Sequence, residues 1–143
     1  MRLSRRTTTV VFPILIVLMT LAAYAPAMRA GFIWDDDAYL TENPVYHFSD
    51  PLSRIWQLNP VQTPQYYPLV FTSFYFEQKL WGLNPIGFHT VNVLLHAGSA
   101  LLLWRVLRRL KAPGAQFAAA VFALHPTMLR LPPTPPRPRR TSK

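Results

Sequence analysis

Pro85 to Trp104, PIGFHTVNVLLHAGSALLLW, runs 20 residues without an Asp, Glu, Lys or Arg. At a helical rise of 1.5 Å per residue such a run reaches about 30 Å, the thickness of a bilayer's hydrocarbon core. It predicts a membrane helix, and the run is not uniformly apolar. His89, Asn92, His96 and Ser99 fall at i, i+3, i+7 and i+10, on one helix face. An imidazole in hydrocarbon is unfavourable unless it faces protein or water. The face is therefore expected to point into a bundle, in one of two roles. It lines a site that handles phosphate or metal, or it supplies hydrogen bonds between helices. The deeper position of His96 favours the second role for that residue.

A second uncharged run, Thr9 to Met28, is also 20 residues long. It has the layout of a signal peptide, with Ala25-Pro26-Ala27 as the cleavage site. Its length, and Pro26 inside that site, favour a membrane helix. A third apolar run, Gly114 to Leu129, is short. The 15 Lys and Arg lie mostly at three places: Arg2, Arg5 and Arg6; Arg105, Arg108, Arg109 and Lys111; and Arg130 to Lys143. All 6 acids lie between Asp35 and Glu77. Basic segments favour the cytoplasmic side, so the acidic middle is expected outside.

The predicted class is an all-α integral membrane protein with two transmembrane helices and a short third. A basic cytoplasmic start (1–8) leads into membrane helix 1 (9–28) and an outer loop (29–84). Membrane helix 2 (85–104), a basic cytoplasmic loop (105–113), a partial third helix (114–129) and a Pro/Arg-rich tail (130–143) follow. In a bacterial cell this is the inner membrane. Zero Cys excludes disulfides and thiolate chemistry. The net charge of +9 suggests nucleic acid, but the basic groups flank apolar runs and form no stripe with interleaved aromatics. Nucleic acid is therefore excluded as a partner.

The outer loop opens on Phe32-Ile33-Trp34-Asp35-Asp36-Asp37-Ala38-Tyr39-Leu40. Adjacent carboxylates at a membrane surface suit metal coordination, general-base work or a cationic group, or form a solvated acidic turn. Ser49-Asp50-Pro51 predicts a short helix through Trp56 with Ser49 as N-cap. Pro68 to Trp81 predicts another, stopped by Gly82. The stretch 29–85 holds 13 of the 19 aromatic residues. Tyr and Trp favour the headgroup level, so both helices are expected along the outer membrane surface.

Four blocks, FIWDDDAYLTENP, QYYPLVFTSF, LWGLNPIGFHTVNVLLHAGSALLLWRVLRRL and FAAAVFALHP, together resemble the N-terminal part of a known family. These are GT-C type multi-pass membrane glycosyltransferases with C-terminal tetratricopeptide repeats, the transmembrane-and-TPR O-mannosyltransferases and their bacterial relatives. The resemblance implies sugar transfer from a polyprenyl-phosphate donor to a hydroxyl acceptor, a protein Ser/Thr or a glycan, on the outer face. It implies Asp35 and Asp36 as catalytic acids. It implies His89, Asn92, His96 and Tyr67 as donor-phosphate or bundle-lining residues. A divalent cation, where that chemistry uses one, falls to Asp35 and Asp36 with His125. After His125-Pro126 the sequence departs from the family. No acid follows Glu77, and the tail reads as polyproline-like or disordered. The chain is thus expected to be a truncated N-terminal piece, inactive alone. The competing reading is a small non-catalytic membrane protein that binds a partner through its outer loop and polar helix face.

Overall fold

The structure, a computed structural model, describes residues 5–32, 36–57 and 65–125. Every regular element among them is helical. Helix α1 spans Arg5–Tyr24, α2 Pro51–Ile55, α3 Pro68–Trp81, α4 Pro85–Arg109 and α5 Ala115–Leu124. Two 3-10 turns (Ala27–Arg29 and Pro44–His47) and a π-helical turn (Asp37–Thr41) complete the order. The tail from Pro126 onward lies outside the described residues.

Helices α1, α4 and α5 pack together on small residues. Ile16, Ala100 and Ala123 form one buried cluster, and Trp104, Ala115 and Ala119 a second. Phe12 touches both, its ring 4.9 Å from that of Trp104. Alanines let helix backbones approach closely, the packing that serves where solvent is as apolar as the side chains. Arg108 Nη1 donates to Thr9 Oγ1 at 3.3 Å, so the basic end of α4 lies beside the start of α1. Leu110, Lys111 and Gly114 turn the chain back into α5, Lys111 and Gly114 with positive φ.

Of the described helices, α4 is the one long and apolar enough to cross a membrane. Its 25 residues continue past Trp104 through Arg105–Arg109, because Leu and Arg are good helix formers and the basic last turn suits the helix dipole. It starts sharply: the Asn84 side chain accepts from Ile86 N at 3.1 Å and Pro85 fills the first turn. Two full-length spans were expected. Helix α1 instead starts at the polar Arg5 and stops at Tyr24, so its apolar part, Thr9–Tyr24, is shorter than a span, as is α5.

A second unit, here called the outer module, is built from the Pro44–His47 turn, α2 and α3. Its core is Val45, Ile55 and Phe71, with Tyr39, Tyr46, Phe74 and Tyr75 packed around it. Helix α3 ends as its sequence predicts. Gly82 takes φ 63° and its N–H bonds Gln78 O at 2.9 Å. Helix α2 starts one residue later than predicted: Asp50, not Ser49, occupies the cap position. Neither provides a side-chain cap, since Asp50 instead accepts from Arg54 Nε at 2.9 Å.

Candidate functional site

The chain leaving α1 runs antiparallel along α4 and is tied to it at successive levels. The Tyr24 hydroxyl lies 3.5 Å from His96 Nε2. Met28 Sδ accepts from Thr90 Oγ1 at 3.7 Å. Phe32 meets Phe88 edge to face at 5.6 Å. Phe74 and Trp81 of α3 reach the same Phe88 ring at 5.9 and 6.3 Å. One aromatic side chain thus fixes both the outer module and the strand of chain that enters the acidic run onto the first turn of α4.

Asp35 lies outside the described residues, with Ile33 and Trp34. Asp36 is half-buried at the entry to the π-helical turn. Tyr39 of that turn packs on Phe71 at 5.8 Å. The acidic run is therefore bracketed by Phe32 on α4 and Tyr39 on α3. Such π-turns recur at functional sites because they re-aim side chains within one turn.

His89 follows Phe88 directly, and its Nε2 is buried with no hydrogen-bond partner. It is the histidine of the polar face next to the Phe32–Phe88 contact. Asn92 is exposed on the α4 surface. His96 has a different task. Its Nε2 lies 3.2 Å from Ala123 O, an acceptor only, so this nitrogen carries the proton. Tyr24 donates to His125 O at 2.6 Å. The last carbonyls of a helix lack partners within it, and Tyr24 and His96 supply them for α5. The His96 ring also stacks on Phe122 at 5.0 Å. His96 is the bundle-holding member of the stripe. Tyr67 stands apart, exposed at the start of α3 with its ring 6.4 Å from Phe71.

His125 sits at the His96 level, since Tyr24 touches both. That is seven residues, about 10 Å, along α4 from His89. Among the described residues no three His, Asp or Glu side chains gather into a metal-binding group. The expected set of Asp35, Asp36 and His125 includes one residue outside them.

Sequence reading missed Glu77 and Tyr46. Glu77 is 5% exposed, and Ser73 Oγ donates to its Oε1 at 2.5 Å. Burial holds its carboxyl above the ordinary glutamate range. The available signal was its spacing: Ser73, Glu77 and Trp81 repeat at i, i+4 and i+8 beside Phe74, which sets an acid on the packed face. At the module's exposed edge the bond from Arg54 holds the Asp50 carboxyl below the usual aspartate range.

With this geometry in hand, comparison with known proteins is informative. The protein O-mannosyl-transferase TMTC3 of Mus musculus is 31% identical over 121 residues, 78% of this chain. Tmtc1 of Drosophila melanogaster is 31% identical over 113 residues, 72% of this chain. TMTC4 of Homo sapiens is 29% identical over 132 residues, 76% of this chain. The chain belongs to this TMTC-like family. It spans 13% of the length of the mouse and fly relatives and 18% of the human one. No family model and no solved structure matches it.

Proposed function

We propose that the chain forms part of a membrane glycosyltransferase that moves mannose from a polyprenyl-phosphate donor to a protein Ser/Thr hydroxyl on the outer face. The observation that carries the reading is the similarity to proteins named O-mannosyl-transferases. The local geometry supports it, because the Phe32–Phe88 contact holds the chain that leads toward the acidic run on the first turn of α4, where the buried His89 nitrogen follows. In this reading α4 crosses the bilayer with α1 and the partial helix α5 packed on it, and α2 and α3 lie along its outer surface.

An alcohol is a poor nucleophile with a pKa near that of water, so transfer needs a proton acceptor within bonding distance. Asp35 or Asp36 takes that proton as the hydroxyl attacks the sugar's anomeric carbon. His89, with a free ring nitrogen, faces the leaving phosphate. A neutral imidazole donates one hydrogen bond there, and a protonated one adds a charge. The paired carboxylates also fit a hard divalent cation, which takes oxygen ligands and would neutralise phosphate charge. His96 and Tyr24 keep the helices together and take no part in the chemistry.

The test is a chimera. The corresponding segment of mouse TMTC3 is replaced by this chain, and mannose transfer from a polyprenyl-phosphate donor is measured in membranes. The unaltered chimera transfers sugar, whereas the 143-residue chain alone does not. Asp35→Asn or Asp36→Asn lowers turnover roughly a hundredfold or more, the usual worth of a general base, at equal membrane insertion. Full activity in the double variant overturns the assignment and favours the non-catalytic reading.

A further inference from the structure

The outer module hides a carboxyl that the proposed chemistry does not use. Glu77 is 5% exposed. Its Oε1 accepts from Ser73, while its Oε2 is buried without a hydrogen-bond partner. The Tyr46 hydroxyl is likewise buried and unpartnered. Tyr46 belongs to the Pro44–His47 turn, whose Val45 side chain helps form the core against α3. Burial, and after it the charge on Glu77, pushes the Tyr46 phenol up from its ordinary range.

The other titratable or charged groups on elements packed against α3 leave this oxygen alone. Arg54 of α2 is bonded to Asp50 and lies over the Phe48 ring. Lys79, on α3 itself, reaches over the Tyr75 ring. Tyr39 packs on Phe71, one and a half helical turns from Glu77. His89 of α4 has its own buried nitrogen without a partner. Among the described residues no cation pairs with Glu77.

We propose that Glu77 is a proton-binding site that locks the outer module. With the proton bound, the side chain is a neutral acid sealed between α3 and the Tyr46-bearing turn. When the proton leaves, an unpaired charge remains under that turn. Burying an unpaired carboxylate is far less favourable than burying the neutral acid, so the turn lifts from α3 and admits water. The device makes the module tighter at acid pH than at alkaline pH. It stands whether or not the chain belongs to a sugar-transfer site.

The sign follows from linkage. A carboxyl whose folded-state value is raised above its unfolded one contributes fully below the unfolded glutamate value of about 4.3. That contribution is lost as pH rises through the folded value.

The chain offers a clean measurement, because Glu42 and Glu77 are its only glutamates. The full chain is labelled with side-chain carboxyl 13C glutamate in detergent micelles, and the two carbon signals are followed by NMR from pH 4 to pH 9. Glu42→Gln assigns them. The expected result is a Glu77 midpoint above about 4.3, with the Tyr46 ring signals moving at the same pH. Glu77→Gln removes the pH dependence of outer-module melting across that interval. A Glu77 midpoint at or below the ordinary value overturns the proposal, as does a Glu77→Gln chain with the wild-type pH profile. If Glu77→Gln does not fold, the wild-type titration alone decides. Loss of sugar transfer by the Asp35→Asn/Asp36→Asn chimera leaves this outcome untouched.

Discussion

The three-helix bundle and the outer module solve the same problem in opposite ways. The bundle packs on alanine and aims its side-chain donors at carbonyls: Thr20 Oγ1 donates to Ile16 O at 2.7 Å, and Tyr24 and His96 close the end of α5, although Trp104 Nε1 and His89 Nε2 stay buried without partners. The module packs on aromatic rings and leaves buried polar atoms of Tyr46, Glu77 and Trp81 without partners. Small side chains bring backbones together and put carbonyls within reach of a neighbour's donor. Large rings hold backbones apart and seal over polar atoms they cannot satisfy. An unpaired group costs most where no water reaches it, so the carbonyl bonds made by Tyr24 and His96 matter most to the part built on α4.

The largest test of that contrast is Phe71→Ala. The ring is 1% exposed at the centre of the module core. Removing it costs about 3–5 kcal/mol, enough to melt the module. The bundle survives, because Phe71 has no part in its clusters. Hydrogen exchange on the intact chain reads both parts: amides of α3 lose protection and those of α4 beyond Val93 keep theirs. Equal loss in both would mean that the two parts fold as one unit.

Next in size is Ala119→Leu. Ala119 is fully buried against Trp104 and Phe12, and extra methylenes in a tight core cost about 1–3 kcal/mol. Here the bundle weakens and the module does not, the mirror image of Phe71→Ala. Detergent-resistant melting followed by far-UV circular dichroism measures it.

What the sequence made legible follows from the same contrast. The helices stand out where one residue type carries the signal: Pro68 and Gly82 bound α3, and the uncharged run from Pro85 reveals α4 as the candidate span. The polar stripe was legible as a face, and depth along the helix already favoured a helix-holding role for His96, but the partners that decide it were not legible. Whether His96 serves a ligand or a helix end depends on Tyr24 and on carbonyls 27 and more residues away, and a face's periodicity contains nothing about its partner. Glu77 was passed over because an acid on a short aromatic helix reads as solvated. Its burial comes from tertiary packing around α3, which the sequence of that helix does not show. The short reach of α1 was hidden too, since composition does not say where Arg5–Thr8 join the helix and where Tyr24 ends it.

A smaller effect comes from one substitution made in both regions. Tyr24→Phe deletes the donor to His125 O and lowers stability by about 0.5–1.5 kcal/mol, the net worth of a hydrogen bond. Tyr46→Phe deletes a buried hydroxyl that has no partner, and is neutral or slightly stabilising. Thermal melts of the two variants side by side decide it. A loss of stability in Tyr46→Phe as large as in Tyr24→Phe would show that the Tyr46 hydroxyl makes a bond as good as that of Tyr24.

The smallest effect belongs to the module's exposed edge. Asp50 accepts from Arg54 Nε at 2.9 Å across one turn of α2, and that bond holds its carboxyl below the ordinary aspartate range. A carboxyl depressed in the folded state contributes stability above its unfolded value, about 3.9, and loses it as pH falls through the folded value. The direction is thus opposite to that of Glu77, whose contribution is lost as pH rises. The size is opposite as well. Asp50 lies in water, where screening and side-chain entropy cancel most of an ion pair's attraction. Asp50→Asn therefore leaves the melting temperature at pH 7 unchanged within error, and it removes only a slight acid-side slope. A marked drop at pH 7 would mean that the Asp50–Arg54 pair clamps α2 onto α3 through Phe48, whose ring lies 4.0 Å beneath the Arg54 guanidinium. The module would then owe its cohesion to its charged edge as well as to its rings.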